Sequence, residues 1–300
     1  MNLAPILLFV YNRLYHTQQV VKALQNNDLA ISSELHIYSD GPKTSKDFDS
    51  IKAVRKYLKE IKGFRNIYLI ERENNYGCSR SIVTGVTDII NKYGKAIVVE
   101  DDILTSKYFI KYMNSALDYY ENQEDIACIH GYTYPIKTKL PETFFLRGAD
   151  IWGWATWKRG WDLYESDAQK LLNELKSRNM TYDFDFRDSF GFTKMLEDQV
   201  KGKIDTWDIQ WYASTFLRNK LTLYPGRSLV QNIGYDSSGT HCCTTNLYTA
   251  KLTDTPIIIS PITISEDQHA RTAIGKFHKS TKSCLLRRFS NKTLGSLFRK

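Results

Sequence analysis

The sequence predicts an α/β fold, with a mostly parallel central sheet and flanking helices. Three observations carry that prediction. Over the first hundred residues four short apolar runs alternate with three segments of helical periodicity, the pattern of right-handed βαβ units. One of these runs, Ala96-Ile97-Val98-Val99, is continuously apolar, as a strand covered on both faces requires. It ends in Glu100-Asp101-Asp102, three adjacent acids too costly to leave unpaired in a core, so the strand end should open into a crevice.

Taken in order, Pro5 to Tyr11 reads as the first buried strand, ending in Tyr11-Asn12-Arg13. A helix follows, with Thr17 as its expected N-cap and Val20, Val21 and Leu24 on its apolar side. Leu35 to Ser39 is a second strand, stopped by the turn signal Asp40-Gly41-Pro42. Ile51, Val54, Leu58 and Ile61 mark one helix face, and Asn66 to Ile70 is a third strand. Ile82, Val86, Ile89 and Tyr93 form the stripe of a helix that Gly94 closes, before the acidic strand.

Beyond the acids a helix is expected from about Thr105 to Glu121, then strands at Ile126 to His130 and Thr143 to Arg147. The stretch from Gly148 to Trp157 holds a Gly153-Trp154 turn, with Trp154 a candidate wall for a ligand and other tryptophans packing the second lobe. Residues 165–203 are polar and helix-prone, with Asp183 to Asp188 as a loop. Trp207-Asp208-Ile209-Gln210-Trp211 opens another helix. Strands at Leu221 to Tyr224 and Leu229 to Ile233 lead to a Gly/Ser/Thr-rich loop reaching His241.

Composition narrows the function classes. A hydrophobic content of 42% with 25% charged residues is that of an ordinary folded domain. The net charge of +8 suits an anionic partner such as a nucleotide. Cys78, Cys128, Cys242, Cys243 and Cys284 form no CxxC pair or zinc spacing and read as reduced thiols of a cytosolic protein. No signal peptide or membrane-length apolar run is visible, so a cytoplasmic location is expected. From Lys276 onward basic residues interleave with Phe277, Leu285, Phe289 and Phe298. That tail reads either as an amphipathic foot on the anionic inner face of a membrane or as a plain surface helix or disordered end. The absence of GxGxxG after the first strand argues against a dinucleotide oxidoreductase, and the absence of GxxxxGK[ST] against a P-loop NTPase.

These motifs, in this order, resemble the GT-A glycosyltransferases, specifically the N-acetylglucosaminyltransferase I-like group and small bacterial sugar transferases. The resemblance runs over about residues 3–245. It implies a GT-A type sheet with a smaller mixed acceptor lobe: residues 1–125 as the nucleotide-sugar-binding half and 126–275 as the acceptor and catalytic half of the same domain, with 276–300 left as the basic tail. By the same resemblance Asp102 is the ligand of Mn²⁺ or Mg²⁺, with His241 a second metal or phosphate contact. Glu100 and Asp101 face the donor's ribose and sugar, and Asp40 accepts from a uracil-type base. Tyr11 lies beside the donor, Arg13 pairs with its diphosphate, and Arg80 lies on the diphosphate side. Asp208 is the general base, with Asp205 and Glu197 as rivals.

The chemistry agrees with that assignment. Breaking an anomeric bond to a nucleoside diphosphate leaves charge that a divalent cation can neutralise, and one protein carboxylate suffices when phosphates and water complete the shell. The acceptor hydroxyl, from a glycan or glycolipid, needs a carboxylate to take its proton. Asp208 between Trp207 and Trp211 suits that task, although it is also a good first-turn acid for its helix. The expected activity is thus metal-dependent, inverting transfer from a UDP-sugar in surface-glycan synthesis. A nucleotidyltransferase would carry a Gly-rich basic loop where Tyr11-Asn12-Arg13-Leu14 stands. A nucleic-acid-binding protein would show a clustered basic face, and here the basic residues are scattered or gathered in the tail; a non-catalytic nucleotide-binding relative that keeps the fold is the remaining alternative.

Overall fold

The computed structural model describes residues 3–236 and 245–281. The first half runs β1 (Ile6–Val10), α1 (Leu14–Gln25), β2 (Glu34–Ser39), α2 (Phe48–Leu58), β3 (Asn66–Glu71), α3 (Gly77–Tyr93) and β4 (Lys95–Glu100). Then come β5 (Ile103–Thr105), α4 (Phe109–Tyr119), β6 (Ile126–His130), β7 (Thr143–Arg147) and β8 (Trp154–Trp157). The remainder is α5 (Lys158–Trp161), α6 (Ala168–Ser177), α7 (Thr181–Phe184), α8 (Phe192–Val200), α9 (Asp208–Leu217), β9 (Leu221–Pro225) and β10 (Val230–Asn232). A last helix, α10, covers residues 268–281.

Among the described residues the main sheet has eight strands in the order β3-β2-β1-β4-β8-β6-β9-β7. The first four run parallel; β8 is antiparallel to both β4 and β6, β9 is parallel to β6, and β7 closes the edge antiparallel. The strands of the second half therefore extend the sheet begun by the first. Strand alternation divides the core in two. Ile6, Leu8 and Val10 with Ile97 and Val99 pack against α1, α2 and α4, whereas Leu7, Phe9, Ala96 and Val98 pack against α3. A third apolar cluster joins α6, α8, α9 and α10 to β7.

Several local expectations are corrected. The N-cap of α1 is Arg13, not Thr17, whose hydroxyl instead donates to the Arg13 carbonyl at 2.9 Å inside the first turn. The helix expected from Thr105 starts only at Phe109, because Ile103–Thr105 pairs antiparallel with β10. Gly153, with φ of 60°, makes the expected bend, but Trp154 after it begins the strand that bridges the two halves of the sheet. The loop at Asp183–Asp188 begins inside the short helix α7, and Phe186, Arg187 and Asp188 then take left-handed backbone conformations. The six residues from Lys276 belong to α10, which buries Ile274 and His278, so the tail boundary falls inside a docked helix. Residues 282–300 lie outside the described residues, as does His241. Among the described residues no helix is long and apolar enough to cross a membrane.

Candidate active site

Strand order turns at β1: β2 and β3 lie on one side, β4 on the other. In open α/β sheets the crevice beyond the strand ends at such a point is where ligands bind. Two segments meet there. The chain leaving β1 carries Tyr11 and Arg13, and the chain leaving β4 carries the acids. The register Phe9↔Glu100 brings the two ends level. Arg13 Nη2 donates to Asp101 Oδ1 in a close ion pair and to Asp102 Oδ2 at 2.9 Å, and Arg13 Nε reaches Asp101 Oδ2 at 3.4 Å. Burial alone would lower the Arg13 pKa, but the two carboxylates outweigh it and hold the guanidinium charged.

One guanidinium does not balance three acids. Burial lifts the Glu100 carboxyl well above the usual range, and the neighbouring Asp102, Asp101 and Asp208 charges lift it further, with Arg13 opposing. Burial raises the Asp101 carboxyl too, against the pull of Arg13. Cys78, on the first turn of α3, sits with Sγ 3.8 Å from Glu100 Oε2. Its thiol is accessible from the crevice, yet surrounding protein atoms and the same acids push its pKa up. Such a crowded, oxygen-rich and negatively charged corner fits a hard divalent cation. Asp102 would hold it, with Asp101 beside it. Among the described residues no three His, Cys, Asp or Glu side chains converge as a metal cage, so phosphate oxygens and water would supply the remaining ligands.

The returning strand β10 closes this corner. Asn232 pairs with Ile103, and the Ile233 amide donates to the Asp102 carbonyl at 2.8 Å. A Cβ on Gly234 would lie 2.4 Å from Asp102 Oδ2, so a side chain at this position would push the Asp102 carboxylate aside. His16 on α1 meets Asp236 at 3.0 Å, which fixes the same loop to the first half.

The other sequence candidates line the crevice with different occupations. Asp40 is buried after β2, and its two oxygens accept from the amides of Gly41, Tyr76 and Gly77 and from Asn75 Nδ2, all within 3.1 Å. Those donors take up the acceptor capacity expected for a nucleobase N–H, so Asp40 anchors the start of α3 instead. The Tyr11 hydroxyl accepts from the Lys43 amide at 3.1 Å, and burial raises its pKa. Arg80 is exposed and stands over the Tyr76 ring at 4.1 Å. The rival base Glu197 is held by Lys176 at 2.9 Å on α8.

Asp208 enters from the second half. It is the first residue of α9, a helix whose residues 209–217 are all buried between two apolar clusters, so its position is rigidly set. Asp208 Oδ1 accepts from the Thr206 hydroxyl in a short bond and from the Ile209 amide at 2.7 Å. Burial raises its carboxyl pKa above the ordinary range, while those two hydrogen bonds pull the other way. Trp207 and Trp211 do not wall it. Both are buried and pack with Trp154 and Trp161 behind it, which also removes Trp154 from any ligand-facing role. The side chains facing the opening instead include Asp150, Trp152 and Tyr248. Sequence reasoning had not singled out Asp150, although an acid set between Gly148 and Trp152 was a visible signal.

No protein-family model matches the sequence, and no curated protein matches it. Among solved structures the fold is similar to residues 1–349 of S. aureus TarS, with a TM-score of 0.42 and 10% identity over 75% of this chain and 59% of that one. A longer S. aureus TarS structure gives a TM-score of 0.40 and 11% identity, covering 75% of this chain and 36% of that one. The mannosyltransferase PcManGT from Pyrobaculum calidifontis, in complex with GDP-Man and Mn²⁺, gives 0.36 and 8%, covering 73% and 72%. The chain thus spans 59% of the length of the first of these structures.

Proposed function

We propose that the chain is a metal-dependent, inverting glycosyltransferase that moves a sugar from a nucleoside-diphosphate donor, a UDP-sugar, to a hydroxyl of a glycan or glycolipid. One observation carries this reading: three carboxylates at the turning point of a parallel sheet face a fourth, rigidly held carboxylate contributed by the other half of the chain. In this reading Asp102 holds Mn²⁺ or Mg²⁺, with Asp101 beside it and Glu100 towards the donor sugar. A divalent cation there supplies neutralisation of the departing diphosphate.

The protein's own groups do the rest. Arg13 keeps the Asp101 and Asp102 carboxylates in register and balances part of their charge, which sets its guanidinium beside the diphosphate that the resemblance assigns to it. Asp40 holds the loop from Asn75 to Gly77, so that Tyr11, Tyr76 and Arg80 frame the nucleotide end of the crevice. Asp208 takes the acceptor proton; Thr206 and the Ile209 amide orient one oxygen and leave the other for the hydroxyl. Its raised pKa makes it a better base than an exposed aspartate at the same position.

The test is hydrolysis and transfer with a panel of nucleotide sugars, with and without Mn²⁺. Wild-type protein should release UDP only when metal is present, and Asp102→Ala should lose metal-dependent donor binding. Donor binding of wild-type strength in that variant, or release of pyrophosphate from nucleoside triphosphates in place of UDP, would sink the reading.

A further inference from the structure

Beside Asp208 the second half of the chain forms a pocket whose lining includes none of Arg13, Glu100, Asp101 and Asp102. Its walls are mainly rings and thin apolar chains, among them Trp152, Tyr212, Tyr248, Phe186, Phe190 and Met195. Polar groups in it are few and specific. Asp150 Oδ2 accepts from the Tyr224 hydroxyl at 3.1 Å and from the Tyr134 hydroxyl at 3.5 Å, and Oδ1 accepts from the Ile151 amide at 2.8 Å. His278 of α10 is only 2% exposed, and its Nδ1 is buried with no hydrogen-bond partner among the described residues. A buried ring nitrogen without a partner costs free energy, so the ring is held there by the aromatic packing around it. Burial also lowers the His278 pKa to about 4, so the ring is neutral near pH 7 and brings no positive charge.

The charges lining the pocket exclude one kind of occupant. Asp150 and Asp208 are acids, and among the described lining residues the one arginine is Arg147. Its guanidinium is committed elsewhere, donating to the Phe216 carbonyl at 3.1 and 3.2 Å and standing 3.9 Å from the Phe216 ring centre. Among the described residues a phosphate or carboxylate would meet two acids and no free cation. An uncharged ring or hydrocarbon would meet aromatic faces, which bury apolar surface well and stack on sugar and aryl rings.

We propose that this pocket is the acceptor subsite, and that it takes an uncharged glycoside whose apolar aglycone, aryl or alkyl, lies against the rings. A hydroxyl of that acceptor bonds to Asp150, which sets its neighbour towards Asp208. The inference rests on the transferase reading and narrows its acceptor class.

Calorimetric titration of the full chain with matched methyl, phenyl and octyl glycosides of one hexose, in the presence of UDP and Mn²⁺, tests it. The phenyl or octyl glycoside should bind at least about tenfold tighter than the methyl glycoside. Filling the pocket with Met195→Trp, or with Ile151→Trp from a different element should the first not fold, should remove that preference and leave UDP binding unchanged. Asp150→Asn should weaken all three glycosides alike. Equal affinity for methyl and phenyl forms, stronger binding of a phosphorylated acceptor, or a preference that survives both fillings overturns the proposal. Failure of UDP and Mn²⁺ to bind wild-type protein strikes the donor reading instead, so the two outcomes stay distinct.

Discussion

Asp208 is held by a neighbouring hydroxyl and an amide at the head of a helix that is buried on all sides. Asp208→Asn keeps the shape and these contacts but cannot take a proton. Donor binding should persist while transfer falls by roughly 10²–10⁴-fold, the usual worth of a positioned base. Because burial raises the Asp208 pKa, wild-type transfer should be full above that raised value and decline as pH falls through it, earlier than for an ordinary aspartate. Rates followed against pH for both proteins would check this; an acid limb that survives in the asparagine variant assigns the base elsewhere. At this scale the acids were legible, since an apolar run ending in three carboxylates admits few arrangements. The occupation of Asp40 was not, because apart from Gly41 its donors come from Asn75, Tyr76 and Gly77, 35 to 37 residues away. Trp154 was misread for a related reason: nothing local distinguishes an indole at a cleft wall from one in a stack of four.

Among the elements, α10 has the most specific pH response. His278 is buried against Phe186, Phe190 and Tyr134, and burial lowers its pKa to about 4. In an unfolded or undocked chain the same ring titrates near about 6.5. The folded state therefore disfavours the proton, so stability from this ring is full above pH of about 6.5 and drains away towards about 4. The loss is on the order of 3 kcal/mol at most, shared between global unfolding and undocking of α10. Hydrogen exchange of residues 268–281 at pH 7 and pH 4.5 should show selective loss of protection at the lower pH. His278→Phe should flatten that response; an unchanged pH dependence in the variant counts against the assignment. Helices with a clean apolar stripe, α2 and α3, were legible from spacing alone, and Gly94 closes α3 with φ of 77° as expected. Strand β5 was not: three residues carry too little periodicity to announce a strand whose partner lies in another part of the chain.

For the molecule as a whole, the sheet is continuous from one half of the chain to the other, and the crevice lies where β1 and β4 meet. The alternation of strands and helices fixed the parallel part from sequence. The insertion of β8 between β4 and β6 was hidden, because it depends on a long-range pairing. Ligand that binds only the folded chain should stabilise all of it together. UDP with Mn²⁺ at about a hundred times its Kd should add about 2.7 kcal/mol, read as one shifted thermal transition. Gly234→Ala should keep the transition but lose most of that gain, since the new methyl group displaces Asp102. A full metal-linked shift in this variant would show that Asp102 does not hold the cation.

The pairing of Ile103–Thr105 with Val230–Asn232 has a consequence for how the protein is made. A ribosome delivers the three acids long before it delivers the strand that pins them, and everything between must emerge first. A nascent chain stopped short of residue 230 can have its parallel sheet complete and still leave that corner open, so a cation held as proposed would find its site only late in translation and all at once.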